Sequence, residues 1–221
     1  MVQKRRAILV SIGMKHFSEW GYRDVSVSDI MQEAGLSVGS FYNYFSSKEE
    51  FYERVLDVIE TEGIRKIDRV VMRLRSPLNK LKAVYRFTTL GLKHNRILRG
   101  ILRHEQRYMY PGLSQREQNA ETLRGHVETL LQEIIREGTN KNVFKSGLYS
   151  DPARLIVAIF DTLVYQIDRE DIDELLSDML VFLQRGIIRT LRLRRREERY
   201  DRRVLDVDSD LSEAELSEPE L

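Results

Sequence analysis

The sequence predicts an all-α protein of about nine helices, in which a small three-helix unit precedes a larger helical domain. Only four prolines and 12 glycines occur in 221 residues, which leaves long stretches open to helix. Apolar residues recur at three- and four-residue steps through most of the chain. The 32% of charged residues indicates a heavily solvated helical surface, while 42% hydrophobic residues is near the globular norm. We place the domains at 1–60 and 61–196, with a charged, disordered tail at 197–221.

The composition also excludes several classes of function. Because the chain has no cysteine, it has no disulfides, thiolate zinc sites or cysteine nucleophiles. No stretch approaches 18 apolar residues, so we expect neither a membrane span nor a signal peptide. These features fit a cytoplasmic protein.

The first helix is predicted from about Gln3 to Trp20. Its apolar stripe consists of Leu9, Ile12, Gly13, His16, Phe17 and Trp20. Glycine inside a helix is unfavourable relative to alanine, so Gly13 indicates close packing of another helix. His16 is interpreted as a partly buried core histidine rather than a pH switch.

Residues 25–51 predict two short helices joined by a tight turn and followed at once by a third helix. Ser26 and Asp29 have the spacing of a capping box, and Ser47 with Glu50 repeats it. Gly35 stands where a helix needs a left-handed residue after its end. Ser37 can cap the next helix, which is predicted over 38–45.

This arrangement is a helix-turn-helix unit, whose second helix can lie in the DNA major groove. The predicted buried side consists of Ile30, Ala34, Leu36, Phe41 and Phe45. The remaining side carries small, hydroxyl or amide side chains, which suit phosphate and base-edge contacts. Such turns are also common in other all-α proteins, and tyrosines are more often packing residues.

The residue pattern of this stretch resembles that of the TetR family of bacterial one-component regulators over residues 5–55. The matching elements are Gly21-Tyr22, Ser26-Val27, Ile30, Ala34-Gly35, Ser37, Gly39, Phe41-Tyr42, Tyr44-Phe45 and Ser47-Lys48-Glu49. The resemblance implies DNA contacts from the recognition helix, the residues before it and the basic start of the first helix. The predicted DNA-binding residues are Lys4, Arg5, Ser26, Val27, Ser28, Ser37, Val38, Gly39, Ser40, Tyr42, Asn43, Tyr44 and Lys48.

The rest of the chain predicts six further helices without motifs of their own. They run over about 47–74, 78–92, 95–109, 114–137, 153–167 and 172–191, and Gly138 is expected to close the fourth of them. Between Arg65 and Arg107 stand 13 Lys and Arg against two acids, whereas the chain beyond Arg203 carries seven acids and no base. These blocks indicate local electrostatic partners.

The last two helices carry more apolar residues than one subunit needs. The resemblance implies that they pair two subunits in a four-helix bundle, and a twofold dimer fits a palindromic operator in double-stranded DNA. The alternative is that they form the core of a monomer. The predicted dimer residues are Ile156, Phe160, Leu163, Met179, Phe182, Leu183 and Ile187.

No enzyme signature, metal-binding spacing or cofactor motif occurs. His104-Glu105 begins like a zinc-protease motif, but Tyr108 stands where the second ligand is required. The resemblance implies an apolar cavity for a small-molecule effector, for which the candidates are Tyr85, Phe87, His94, Ile101, Tyr108, Met109 and Tyr165. Ordinary core packing explains each of these equally well. We therefore predict a ligand-responsive, sequence-specific transcriptional regulator, most often a repressor in this family, with an enzyme or a helical scaffold as alternatives.

Overall fold

The computed structural model describes residues 2–117, 122–145, 147, 149–166 and 172–187. Within these ranges the chain is all-α, as predicted, with ten α-helices and one 3₁₀ helix. The predicted tail at 197–221 lies outside the described residues. The elements are α1 Val2–Asp24, α2 Val27–Glu33, α3 Val38–Phe41, α4 Lys48–Arg73, α5 Pro77–His94, α6 Arg96–Leu102, the 3₁₀ helix Gln106–Tyr108, α7 Leu113–Glu117, α8 Leu123–Asn140, α9 Pro152–Gln166 and α10 Ile172–Ile187.

Two helices are shorter than predicted, one because it gives way to a tighter turn and the other because a residue adopts a positive φ. The recognition helix ends at Phe41, and the amide of Tyr44 then bonds the Phe41 carbonyl in a tighter three-residue turn. The helix predicted over 95–109 ends at Leu102, because His104 adopts a positive φ of 52°. A 3₁₀ helix takes its place.

Two further predictions of helix boundaries were wrong. The predicted helix over 114–137 is two helices, α7 and α8. Gly138 does not close α8, which continues to Asn140. The reason for glycine is packing, since a Cβ at Gly138 would lie 2.0 Å from the ring of Phe144.

The first hydrophobic cluster, called here the amino-terminal core, lies between α1, α2, α3 and the first half of α4. Phe17 stacks edge-on against Tyr52 at 4.8 Å, and the ring of Phe51 lies against Gly13. A Cβ at Gly13 would lie 2.5 Å from the Phe51 ring, so the predicted close packing is confirmed. Trp20 was wrongly assigned to the buried stripe; it is 58% exposed.

The amino-terminal core also includes residues from later in the sequence, in and after α6. These are Ile97, Ile101, Tyr108, Tyr110 and Leu113. Gly21, at φ 81°, lets α1 approach this segment, because a Cβ there would lie 2.6 Å from the Arg107 carbonyl oxygen. The two domains are therefore packed together at this seam.

The second cluster, the carboxy-terminal core, lies between the second half of α4 and helices α5, α8, α9 and α10. Its largest fully buried side chains include Ile67, Leu81 and Phe144. Along α4 the two cores change over between Ile59 and Ile67. The boundary at residue 60 stays a prediction, and α4 crosses it without a break.

Candidate nucleic-acid interface and effector cavity

The turn between α2 and α3 is fixed by caps and by a glycine. The Ser26 hydroxyl accepts from the Asp29 amide at 3.2 Å while the Ser26 amide donates to the Asp29 carboxylate at 3.0 Å, so the predicted capping box is present. Gly35 adopts φ 66°, and the Leu36 amide then bonds the Met31 carbonyl at 2.9 Å. A left-handed residue here favours glycine, because a side chain would be strained.

Three aromatic and aliphatic side chains hold α2 and α3 on the amino-terminal core. Ile30, Phe41 and Phe45 are each at most 1% exposed, as predicted. Ala34 and Leu36 are half-buried and pack against the same core. This packing determines which side of α3 faces outward.

The outward side of α3 and its turn is mostly free of contacts within the protein. Val38 is 46% exposed and Tyr42 is 63% exposed, and Ser37, Gly39 and Asn43 are also exposed. A Cβ at Gly39 would meet nothing within 4 Å. Ser40 is half-buried, and its hydroxyl donates to the Ser37 carbonyl at 2.6 Å. Of the predicted base-reading residues, four are therefore exposed and Ser40 is half-buried.

The remaining predicted contacts of α2 and α3 are more engaged with the protein. Val27 and Tyr44 are half-buried and pack against the amino-terminal core. Ser26 is exposed, but its hydroxyl also donates to Asp29 at 2.6 Å. Ser28 is exposed at the start of α2.

The predicted basic contacts at the start of α1 and of α4 are in two different states. Lys4 and Arg5 are exposed at the start of α1. Lys48 instead lies over the Tyr22 ring, with Nζ 4.5 Å from its centroid, and donates to the Arg23 carbonyl at 3.4 Å. Partial burial lowers the pKa of Lys48, although nearby carboxylates oppose the shift.

Arg6 is a functional candidate that the sequence reasoning left out of its residue set. Its guanidinium bonds Glu50 at 3.1 Å and lies 4.8 Å from the centroid of the Phe45 ring. Glu50 in turn accepts from the amide of Ser46 at 2.6 Å. Arg6 therefore ties the start of α1 to the end of the recognition segment, which no local sequence pattern reveals.

A cavity of about 150 Å³ lies in the larger domain. Three of the predicted effector residues, Tyr85, Phe87 and Ile101, line it. The other four do not. His94 is exposed at the end of α5, and Tyr165 is 58% exposed against His104.

Tyr108 and Met109 miss the cavity because they pack against the other core. Tyr108 is 2% exposed, and its hydroxyl donates to the Ser18 carbonyl at 3.2 Å. Its ring occupies the space above Gly100, where a Cβ would lie 1.9 Å from it. Sequence reasoning took an aromatic residue with a polar tip for a ligand contact, whereas it joins the two domains.

Four charged side chains in the cavity wall were not among the predicted residues. Arg116 pairs with Glu60 and also with Asp57 at 2.8 Å, while Arg124 pairs with Asp161 at 2.7 Å. Burial raises the pKa of Glu60 even though Arg116 opposes the shift. Their positions in separate helices left no sequence signal.

The predicted dimer residues divide into buried and exposed sets. Ile156, Met179 and Leu183 are at most 6% exposed within the single chain, and Phe160 and Leu163 are half-buried. Phe182 is 69% exposed. The side chain of Ile187 lies outside the described residues. Exposed apolar neighbours on α9 and α10 are Leu155, Tyr165, Leu175 and Val181.

The described residues offer neither a metal site nor a membrane span. In that part of the chain no group of three or more His, Cys, Asp or Glu could hold a metal ion. None of the helices described above is long and apolar enough to cross a bilayer.

Comparisons with known proteins point to the same stretch of the chain. Residues 9–55 match the family described as bacterial regulatory proteins, tetR family. The transcriptional regulator AcuR of Cereibacter sphaeroides is 30% identical over 95 residues, which cover 42% of this chain and 43% of AcuR. The repressor KstR2 of Mycolicibacterium smegmatis is 26% identical over 153 residues, covering 66% of this chain and 71% of KstR2.

A solved structure extends the similarity to the larger domain. The regulator FadR of Bacillus subtilis, in complex with stearoyl-CoA, aligns with a TM-score of 0.64 at 23% identity, covering 82% of this chain and 98% of FadR. This likeness concerns the fold. By sequence, the chain matches less than half the length of AcuR.

Proposed function

Because its amino-terminal domain belongs to the TetR family of bacterial regulatory proteins, we propose that this chain is a sequence-specific transcriptional regulator that a small molecule releases from its operator. One observation carries the proposal. The side of α3 that carries Ser37, Val38 and Tyr42 is exposed, while the opposite side is locked into the core by Phe41. A rigid helix with a free polar surface suits major-groove readout.

Each part of this surface has a proposed role in DNA binding. Ser37, Val38, Tyr42 and Asn43 read bases or set the register, and Val38 can pack on a thymine methyl. Lys4, Arg5 and Ser28 contact phosphates. Lys48 reaches a phosphate only after leaving the Tyr22 ring. Phosphate contacts position the protein, and base contacts specify the sequence.

The regulator is proposed to act as a homodimer on a palindromic operator in the cytoplasm. Phe182 and its exposed neighbours on α9 and α10 form an apolar surface that water would otherwise cover. A twofold dimer places two recognition helices in successive major grooves. The relatives named above are regulators, and we propose a regulatory rather than a catalytic role.

The effector is proposed to bind the cavity in the larger domain. FadR of Bacillus subtilis was solved with stearoyl-CoA, and the wall of the cavity in the present chain is mostly aliphatic. Effector binding would shift the population of dimers away from the DNA-competent arrangement. We propose repression as the sign of regulation, by analogy with KstR2.

The test is selection of bound duplexes from a random pool, followed by anisotropy titration at two salt concentrations. A palindromic consensus with steeply salt-dependent affinity is expected. Tyr42→Ala should weaken operator binding by about 1–3 kcal/mol, which is about 5- to 150-fold. The control is Tyr149→Ala, which removes another exposed tyrosine, far from α3 in sequence, and should leave the affinity unchanged.

Two results would count against the proposal. Weak binding without a consensus would reopen the scaffold and enzyme interpretations. Equal affinity of Tyr42→Ala and the unmodified protein would remove the assigned surface.

A further inference from the structure

The wall of the cavity is mostly aliphatic with three aromatic side chains, and its charged side chains are paired with one another or with Asp57. Arg116 bonds Asp57 at 2.8 Å and also Glu60, and Arg124 bonds Asp161 at 2.7 Å. Asp57, Glu60 and Arg116 together carry a formal charge of −1. An anion in this cavity would lose its hydration without meeting an excess of positive charge, because both arginines of the wall are already paired with carboxylates.

A cation would also lose its hydration, and it would have to compete with Arg116 for the carboxylates of this cluster. Both carboxylates of the cluster already accept from Arg116. Breaking a buried pair by removing one partner is costly, because it leaves an uncompensated charge. The wall therefore favours a neutral guest.

Two donors in the wall are left without a partner in the part of the chain that the structure describes. The Tyr85 hydroxyl and the Arg116 Nε–H are buried and lack hydrogen-bond partners among the described residues. Thr89 donates its hydroxyl to the Tyr85 carbonyl at 2.9 Å, and the Tyr85 hydroxyl itself makes no hydrogen bond with it. Burial raises the pKa of Tyr85, so its hydroxyl stays protonated and remains a donor.

A buried donor without a partner is unfavourable, so a ligand that supplies an acceptor gains affinity. Carbonyl oxygen is the acceptor that neutral organic molecules offer most directly. The neighbouring hydroxyl of Thr88 does not compete, because it donates to the Tyr85 carbonyl at 2.8 Å.

We propose that the cavity binds neutral aliphatic carbonyl compounds, such as esters, thioesters or ketones, and that the Tyr85 hydroxyl donates to the carbonyl oxygen. The inference rests on the proposed function only in taking this cavity as the effector site. The volume of about 150 Å³ is small beside the roughly 300–1,000 Å³ of drug-sized pockets, so short chains should fit without rearrangement.

The test is calorimetric titration of the full-length protein, without DNA, with probes of one chain length. Methyl octanoate, octanoate, octylammonium and octane are compared at pH 8, with methyl hexanoate and methyl decanoate to scan length. Methyl octanoate should bind more tightly than octane and at least tenfold more tightly than octanoate or octylammonium. Equal or tighter binding of either ion, or no binding of any methyl ester, would overturn the proposal.

A pair of matched variants isolates the hydroxyl. Tyr85→Phe should weaken methyl octanoate binding by about 3- to 10-fold, the effect of one hydrogen bond, and leave octane binding unchanged. Tyr165→Phe removes an exposed hydroxyl outside the cavity wall and should change neither. If Tyr85→Phe weakened both probes equally, the role of the hydroxyl would be refuted.

Failure of this inference is distinguishable from failure of the proposed function. Ester binding with the expected Tyr85→Phe effect, but no operator, would retain the cavity assignment and refute the regulator. Operator binding together with a preference for octanoate would support the regulator and refute the assignment of a neutral carbonyl ligand to the cavity.

Discussion

Gly39 is the position where stability and DNA binding should respond in opposite directions. It lies in α3, and a Cβ there would meet nothing within 4 Å. Alanine stabilises a helix interior by about 0.5–1 kcal/mol relative to glycine, and a short helix should give the lower end of that range. Gly39→Ala should therefore raise the melting temperature by about 1–2 °C, since about 1 kcal/mol corresponds to roughly 2–4 °C at this size.

The same substitution should weaken operator binding, because the added methyl group stands on the surface that we propose approaches DNA. A displaced base contact costs about 1–3 kcal/mol, or about 5- to 150-fold in affinity. Thermal unfolding and fluorescence anisotropy measure the two effects on the same preparation. The opposite signs exclude misfolding as the cause of lost binding.

Gly91→Ala is the matched control for Gly39→Ala. Gly91 is also a helical glycine at which a Cβ would meet nothing within 4 Å, but it lies in α5, where it lines the cavity and not the α3 surface, so the comparison is made without effector. It should gain stability and keep operator affinity. If Gly39→Ala left operator affinity unchanged, DNA would not approach the protein closely at Gly39, and the prediction would be refuted.

Four further predictions concern other parts of the chain. Gly13→Ala should lower the free energy of unfolding by about 1–3 kcal/mol in urea titrations, because its Cβ would overlap the Phe51 ring; a stabilised variant would contradict this. Burial raises the pKa of Glu60 above its ordinary value of 4.5, so the contribution of this residue to stability is present below pH 4.5 and is lost as the pH rises through the pKa of the folded state. Glu60→Gln should therefore flatten the dependence of the free energy of unfolding on pH. An unchanged pH profile would refute this prediction. Phe182→Glu should shift the protein from dimer to monomer in analytical ultracentrifugation, and a persistent dimer would exclude this surface. Lys48→Gln should reduce the salt dependence of operator binding by about one phosphate contact, and an unchanged slope would leave Lys48 on Tyr22 in the complex.

The sequence predicted the amino-terminal unit well because local rules determine it. The Ser26–Asp29 capping box and the left-handed Gly35 are decided by residues three or four apart, and both are present. Helix limits were less accurate where a distant contact intervenes. Gly138 was predicted to end a helix, but glycine is needed there because the ring of Phe144, in the following loop, packs against it.

The cavity was less predictable for the same physical reason. Aromatic residues with polar tips suit a ligand and suit a buried joint equally, and Tyr108 serves the joint. The wall instead draws Glu60 and Arg116 from helices 56 residues apart in sequence, and no periodicity brings them together. Periodicity shows which face of a helix is apolar, but not which other helix that face meets.

The seam between the two cores links the cavity mechanically to the surface that we propose reads DNA. Leu56, Ile101 and Leu113 line the cavity and belong to the amino-terminal core at the same time. A guest that fills more than the cavity of about 150 Å³ presses on these shared residues. Because protein interiors are close-packed, these shared residues cannot move without disturbing the packing around Tyr52, which also bonds the Tyr108 carbonyl at 3.2 Å. Movement of α4 at this seam would carry α3 with it, since Phe51 of α4 packs edge-on against Phe41 of α3.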